Sequence, residues 1–425
     1  MVILFGTLVV LLVIGFPVAF ALIGASLAFI LLESPLPMVV VLHRTIGGID
    51  SFTLLAVPFF ILAGNLMNHA GITDRIFDFA KAAVGWMRGG LGHVNVGASV
   101  LFAGMSGAAV ADAGGLGTIE VKAMREAGYD NDFAVGLTAA SSTIGPLIPP
   151  SLPLVVYGVS SQASIGQLFA AGLIPGLMMA AALMAMVTYY AHVRGYGRDT
   201  IFLWRMLGTT FARAFLSLLT PVILVGGILG GVFTPTEAAV VASAYALFLG
   251  VVVYRTLNFR KLWDISVDTI ETTAVVLLIV GAASIFSWIL TANGVPRALA
   301  GAILGQTESV FVILLLMNLL LLAVGIVMEP VAAITILTPV LLPIAIALGL
   351  DPVHFGIIMV LNLMIGLLTP PVGMVLYVLA RVTETSFETV VRATMPFLIP
   401  LVAVLILVTY VPALSMWLPT LLYRQ

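Results

Sequence analysis

Two stretches of this 425-residue chain read almost alike and decide its fold: residues 144–150 are IGPLIPP, and residues 365–371 are IGLLTPP. They lie 221 positions apart and are identical at five of seven positions. Each Pro-Pro pair removes two consecutive backbone donors, and the residue before each proline is pushed away from helical geometry. The repetition therefore predicts two related halves of the chain, each containing a helix that is broken at this stretch.

The composition places both stretches in lipid. Hydrophobic residues make up 61% of the chain and charged residues 8%, whereas a soluble domain has about 25% charged residues. This excludes a soluble enzyme, a disordered chain and a nucleic-acid-binding protein, and it predicts an integral membrane protein. The absence of cysteine excludes disulfides and thiolate metal sites. The N-terminus lacks the features of a cleaved secretory signal, so we expect residues 2–32 to form the first membrane segment, as one long helix or as two short ones around Pro17.

The basic residues assign the connections between apolar segments to two sides of the membrane. Five connections that we assign to the cytoplasm contain 14 of the 17 Lys and Arg residues: 71–91, 120–133, 193–213, 255–268 and 381–394. The apolar stretch 92–119 lies between two of these connections, so it must enter and return on the same side as a re-entrant hairpin. By the same logic residues 309–348 form a second hairpin from the outer side, turning near Glu329. Two hairpins from opposite faces are typical of an all-α, polytopic inverted-repeat transporter.

The chemistry of a broken helix suggests what the chain transports. A break at mid-membrane leaves carbonyl groups without partners, and a cation such as Na⁺ satisfies them. The half-helix that follows offers free N–H groups and the positive end of its dipole, which suit a carboxylate. A proline kink solvated by nearby Ser and Thr is the alternative for one break. The recurrence of the break behind a hairpin in each half favours binding sites for Na⁺ and a carboxylate.

Polar residues near the breaks and the hairpin tips are the candidate substrate ligands. Asp112 and Glu329 are acids within membrane segments, where ionisable groups are costly and functional by default, although a satisfied interhelical hydrogen bond is the alternative. For the hydroxyl groups the alternative is a hydrogen bond back to their own helix. The candidates are Ser106, Asp112, Ser142, Thr143, Ser151, Glu329, Thr335, Thr338 and Asn362.

The four residues 104–107 also spell G-x-S-G, a motif of intramembrane serine proteases. In such an enzyme Ser106 would be the nucleophile and would need a histidine base on a neighbouring helix. The nearest histidine in sequence is His93, at the entrance of the predicted hairpin. We therefore keep an intramembrane protease only as a remote alternative.

Over essentially its whole length the chain resembles the large membrane subunit, of the DctM or SiaM type, of tripartite ATP-independent periplasmic (TRAP) transporters. The matching stretches are 57–64, 106–117, 144–153, 231–239 and 368–373. The resemblance implies an elevator-type inner-membrane importer, not an enzyme, that couples Na⁺ entry to uptake of an organic acid such as a C4-dicarboxylate or sialic acid. It implies no cofactor other than Na⁺ as coupling ion. Its implied partners are a periplasmic substrate-binding protein and a small four-helix membrane subunit.

The resemblance also implies two sodium sites. The first comprises Ser99, Ser141, Ile144, Gly145 and Pro146. The second comprises Gly325, Gly366, Thr369 and Val372. A stand-alone Na⁺/dicarboxylate symporter or antiporter, which needs no binding protein, is the alternative function.

These expectations divide the chain into six parts. Scaffold helices come from residues 1–70 and, with a cytoplasmic loop, from 192–294. The first half of a transport domain is 92–191 and the second half is 309–425. Short arms precede the two hairpins, and each is expected either to lie in the membrane interface or to be a solvated helix: 71–91 and 295–308.

Overall fold

The computed structural model describes residues 1–33, 37–305 and 309–423, apart from a few side chains. Within these ranges every regular element is a helix except for one isolated backbone bridge, between Arg88 and Arg198. Eight of the helices are long and apolar enough to cross a membrane. The prediction of an all-α membrane protein is confirmed.

The N-terminal region forms five helices. They are α1 (Val2–Val13), α2 (Val18–Glu33), α3 (Val39–Ile49), α4 (Ala56–His69, after a 3₁₀ turn at Phe52–Leu55) and α5 (Ile72–Val84). The segment predicted over 2–32 is thus two helices, which separate at Gly15–Pro17 and pack against each other. Helix α3 is an addition, because we assigned no element between residues 33 and 50.

The first hairpin and the first broken helix follow. The helices are α6 (Gly90–Ser106), α7 (Ala109–Gly114), α8 (Leu116–Glu126), α9 (Asn131–Ser142), α10 (Leu152–Ser161) and α11 (Ile165–Val193). Helix α6 turns at Gly107, whose φ of +61° suits a residue without a side chain. The break between α9 and α10 contains the first Pro-Pro pair, as the sequence predicts.

Three long helices connect the two halves: α12 (Trp204–Leu229), α13 (Pro235–Phe248, extended by a π turn at Leu249–Val253) and α14 (Phe259–Ala292). The predicted connections 193–213 and 255–268 are therefore too long, since helix begins within each of them. At α14 the Asn258 side chain caps the helix by accepting from the Lys261 amide at 2.9 Å. Positive charge marks the cytoplasmic end of a segment but does not stop a helix, because Lys and Arg are good helix formers.

The second half repeats the order of the first. Its helices are α15 (Val295–Leu304), α16 (Val310–Val327), α17 (Pro330–Ala347), α18 (Pro352–Gly366), α19 (Met374–Val382), α20 (Phe387–Tyr410) and α21 (Ala413–Tyr423). The expected last span over 395–420 is wrong in its bounds: α20 starts earlier, and α21 follows a break before Pro412. The second arm is helical over α15, whereas residues 306–308 of its predicted range lie outside the described residues.

The helices pack in two groups. Helices α2, α3, α4, α12, α13 and α14 contact one another in the first group. In the second, both broken helices and helix α6 of the first hairpin pack against α11 or α20, and the second hairpin packs on α18. Helix α17 of the second hairpin also contacts α14 of the first group. Arm helix α5 lies between the groups, in contact with α6 and α12, and it buries Ile72, Ile76 and Ala80 on one face. The arm thus joins the first hairpin to the first group of helices.

A bidentate ion pair closes the N-terminal end of α9. The Arg194 guanidinium donates to both Asp132 carboxylate oxygens at 2.8 Å and to Asp130 at 3.0 Å. These hydrogen bonds hold the pKa of Asp132 below its usual range. The loop after α11 is thereby tied to the start of the first broken helix.

The low pKa of Asp132 predicts a pH dependence of stability. The pair stabilises the fold above the unfolded pKa of about 3.9, and this contribution is lost as pH falls through the lower folded value. Because the Asp132 side chain is 48% exposed, we expect the pair to contribute no more than about 1 kcal/mol. Thermal unfolding of Asp132→Asn should show a lower melting temperature than that of the wild type. The difference in melting temperature should be constant from pH 6 to pH 8 and should shrink below about pH 4. Asp264→Asn is the control, since Asp264 is in no ion pair of the described residues; a margin that is constant down to pH 3 would contradict the prediction.

Candidate functional site

The tip of the first hairpin lies against the first broken helix. The Leu152 amide donates to the Gly107 carbonyl at 3.4 Å, and a side chain on Gly107 would overlap the Pro150 carbonyl. A Cβ on Gly145 would lie 4.0 Å from the backbone of Ala108. The hairpin tip therefore faces the peptide groups on both sides of the break.

The hydroxyl groups around this break donate to nearby carbonyls. Ser141, Ser142 and Thr143 donate to carbonyls three residues earlier, at 3.2, 2.8 and 2.6 Å respectively. Ser151 donates to the Pro146 carbonyl and accepts from the Leu154 amide at the start of α10. The proton of each hydroxyl is thus used within the break, whereas hydroxyl oxygens keep lone pairs that can coordinate a cation.

Two predicted residues of the first hairpin come together within it. Ser99 faces Asp112 across the hairpin, and both are buried, with 1% and 2% of their surface exposed. The structure brings Ser99 to Asp112 rather than into a hydrogen bond with Ser141. The side chain of Ser106 lies outside the described residues.

At the second break, the hairpin packs directly on the broken helix through two glycines. A Cβ on Gly325 would lie 3.3 Å from Gly366 Cα. The carbonyls of residues 367–372, including that of Val372, receive no hydrogen bond from the described residues. The Thr369 hydroxyl donates to the Ile365 carbonyl at 3.0 Å. Gly325 and Gly366 of the predicted second sodium site therefore form one close backbone contact, and Thr369 lies beside it, since its amide donates to the Gly366 carbonyl at 3.0 Å.

The other candidates of the second half occupy separate positions. Glu329 caps α17 by accepting from the Ala332 amide at 3.1 Å. Thr335 and Thr338 donate to carbonyls four residues earlier, at 2.7 and 2.6 Å. Asn362 donates to Asn318 at 2.6 Å, away from the break. The structure thus places Glu329 at the hairpin tip, and Asn362 in a polar contact between α16 and α18.

The order of hairpin, broken helix and long helix in each half can now be compared with known proteins. Residues 5–414 match the family described as the DctM component of the tripartite ATP-independent periplasmic transporters. The chain belongs to this family. A large TRAP permease subunit of this kind is a multi-pass protein of the inner membrane and one component of a tripartite transporter.

Named relatives extend over almost the whole chain. The sialic acid TRAP transporter large permease protein SiaM of Vibrio cholerae is 53% identical over 97% of this chain and 96% of its own length. The C4-dicarboxylate TRAP transporter large permease protein DctM of Rhodobacter capsulatus is 38% identical over 99% of both chains. The crystal structure of the Alcanivorax borkumensis YdaH transporter is similar in fold, with a TM-score of 0.64 over 89% of both chains and 17% identity.

Membership of the DctM family rules out the protease alternative. The relatives are transporter permeases. Residues 93 and 106 also lie in the same helix α6, 13 positions apart, which separates their backbones by about 20 Å at 1.5 Å per residue. His93 is therefore no base for a nucleophile at Ser106.

Sequence reasoning missed three buried residues of this TRAP permease subunit near the first hairpin. Asn95 in α6 donates to Glu120 in α8 at 2.6 Å and to Thr138 in α9 at 2.7 Å. All three have at most 1% of their surface exposed. The spacing of Asn95 and Ser99 could have indicated this cluster, because residues four apart share a helix face. Glu120 was hidden by its assignment to a cytoplasmic connection.

Proposed function

We propose that this subunit couples the entry of Na⁺ to the import of a small organic acid. The two sodium sites would be those at the two breaks. The acid would bind between the hairpin tips and the half-helices α10 and α19, near Ser151 and Glu329. Relatives are named for sialic acid and C4-dicarboxylates, which are carboxylates, so a carboxylate is the substrate class that we propose.

One observation carries this proposal. In each half, a break that contacts a hairpin is followed at once by the N-terminus of a short helix. At the second break the carbonyls of residues 367–372 receive no hydrogen bond from the described residues, whereas at the first break those of Ile144 and Pro146 accept local hydrogen bonds. Carbonyl oxygens suit a dehydrated Na⁺, and helix N-termini suit a carboxylate. Both ions of a symport thus have suitable groups within the same short segment.

The proposed movement is that of an elevator. The transport domain would be residues 92–191 and 309–425, and the scaffold would be 1–70 and 192–294. The two packing groups support this division, and arm helix α5 within 71–91 contacts both of them. Residues 295–308 would form the corresponding arm of the second half. A periplasmic binding protein would deliver the acid, and a small four-helix subunit would complete the scaffold.

Reconstituted transport tests the proposal. The chain and its small subunit are placed in proteoliposomes, and uptake of sialic acid and of C4-dicarboxylates is measured with and without the binding protein. We expect uptake only with an inward Na⁺ gradient and only with the binding protein present. Uptake without the binding protein would instead establish the stand-alone carrier, and uptake that ignores Na⁺ would overturn the coupling.

Thr369→Ala tests the second sodium site. Loss of a coordinating oxygen that is worth about 1.5 kcal/mol should raise the Na⁺ concentration for half-maximal uptake about tenfold. Thr394→Ala is the matched control, because Thr394 is buried and donates to a carbonyl four residues earlier at 2.8 Å, but lies in α20. An unchanged Na⁺ titration in Thr369→Ala would remove this threonine from the site.

A further inference from the structure

A second group of polar side chains is buried inside the first hairpin and against α9. Each member has at most 2% of its surface exposed. The five members, which we call the hairpin cluster, are Asn95, Ser99, Asp112, Glu120 and Thr138. They come from four helices, so the cluster joins both arms of the hairpin to the first broken helix.

The hydrogen bonds of the hairpin cluster leave oxygen atoms free. The Thr138 hydroxyl donates to the Ala134 carbonyl at 2.8 Å, so it accepts from the Asn95 amide nitrogen. That nitrogen also donates to Glu120 Oε2, which uses both of its protons. Asn95 Oδ1 is bonded to the same amide carbon and is left without a partner among the described residues, as are Ser99 Oγ, Asp112 Oδ2 and Glu120 Oε1. The four side chains that carry these oxygens are neighbours, since Asn95 bonds to Glu120, and Asp112 both faces Ser99 and acts electrostatically on Glu120.

The two acids of the hairpin cluster have no cationic partner among the described residues. Asp112 acts electrostatically on Glu120, and no ion pair of the described residues includes either acid. A buried carboxylate without a compensating charge costs several kcal/mol. Protons on the two acids would remove this cost, and so would a positively charged ligand that coordinates their oxygens.

We infer that the hairpin cluster binds a Na⁺ ion in addition to those proposed at the two breaks, so that Ser99, which the resemblance assigns to the first break, belongs to the hairpin cluster instead. The ligand atoms that the cluster leaves free are all oxygens, which suit a hard cation. In the described part of the chain, no group of three His, Cys, Asp or Glu residues exists to hold a transition metal. Ca²⁺ prefers about six to eight oxygen ligands, more than the free oxygens here. The inference deepens the proposed function, on which it rests, because an ion held by α6, α8 and α9 would fix the hairpin against the broken helix.

Thermal unfolding of the purified chain with its small subunit tests this site without transport. The melting temperature is followed against NaCl, with choline chloride keeping the ionic strength constant. In Glu120→Gln and in Asp112→Asn we expect the NaCl concentration for half-maximal stabilisation to rise about tenfold, with a shallower titration. Glu126→Gln is the matched control, since Glu126 is on the same helix α8 with a side chain that is 69% exposed, and its titration should equal that of the wild type.

The outcomes separate this inference from the proposed function. If the wild type responds to NaCl and both variants respond identically, the acids carry protons and the hairpin-cluster site is wrong, while Na⁺ coupling stands. If the wild type does not respond to NaCl at all, Na⁺ coupling itself fails. Stabilisation of the wild type by CaCl₂ that is lost in the variants would overturn the choice of Na⁺. Should Glu120→Gln fail to fold, Asp112→Asn alone carries the test, because the same change in its NaCl titration is expected.

Discussion

Na⁺-driven uptake should be lost when Gly366 is replaced by alanine. A Cβ on Gly366 would lie 2.6 Å from Gly325 Cα and 2.7 Å from the Gly325 carbonyl oxygen. These are backbone atoms and cannot rotate away, so α16 and the end of α18 must separate. Overpacking of this kind costs up to about 3 kcal/mol, which corresponds to about 100-fold weaker Na⁺ binding if the cost falls on the bound state.

The reciprocal substitution, Gly325→Ala, should have a smaller effect. A Cβ on Gly325 would meet Leu363 Cα at 3.2 Å and Gly366 Cα at 3.3 Å, distances that a shift of a few tenths of an ångström relieves. Gly325→Ala should therefore weaken Na⁺ dependence less than Gly366→Ala does. Gly208→Ala is the control, because a Cβ there would have no neighbour within 4 Å. The measurement is uptake against Na⁺ concentration in proteoliposomes; equal titrations for Gly366→Ala and Gly208→Ala would contradict the proposed second sodium site.

The breaks and hairpins could be predicted because their signals are local. A Pro-Pro pair stops a helix whatever surrounds it, and an apolar stretch between two basic connections has to turn back. Both helix breaks contain the predicted prolines, and α16 ends at Val327, two residues before Glu329, near which the turn was predicted. The starts of α12 and α14 were missed for the opposite reason, since basic residues mark a side of the membrane and carry no stop signal for a helix.

Contacts between helices could not be predicted, because they depend on packing. Asn318 is a single amide in an apolar helix with no spacing pattern, yet it accepts from Asn362 and donates to Thr409. Gly104 and Gly325 are partners in the sequence repeat. The structure places Gly325 on the broken helix of its own half and Gly104 against Pro221 of α12. Equivalent residues of the two halves therefore serve different interfaces.

This difference leads to the second large prediction, that Gly104→Val blocks uptake while leaving Na⁺ binding intact. A Cβ on Gly104 would lie 2.5 Å from Pro221 Cβ and 3.3 Å from Pro221 Cγ. The proline ring is rigid, so the added side chain forces α6 away from α12. In the proposed elevator this is a contact between the transport domain and the scaffold, and neither residue belongs to a proposed sodium site. We expect uptake to fall at least about tenfold, because about 1.4 kcal/mol of strain in one conformation changes its population by that factor. The dependence of the melting temperature on NaCl should be unchanged.

Paired substitutions separate this effect from general damage to the helix. Gly97→Ala is the matched control on α6, since its Cβ would meet Val84 and Met184 only at 3.7 and 3.9 Å, and its uptake should equal that of the wild type. Pro221→Gly removes the ring that Gly104→Val strikes, and glycine is better tolerated than proline within a helix. If the two side chains collide, the double variant should recover uptake relative to Gly104→Val alone, with a coupling of about 0.5–3 kcal/mol. Purely additive losses, or a Gly104→Val variant that loses its Na⁺ titration along with uptake, would show that Gly104 does not act at the contact between the transport domain and the scaffold.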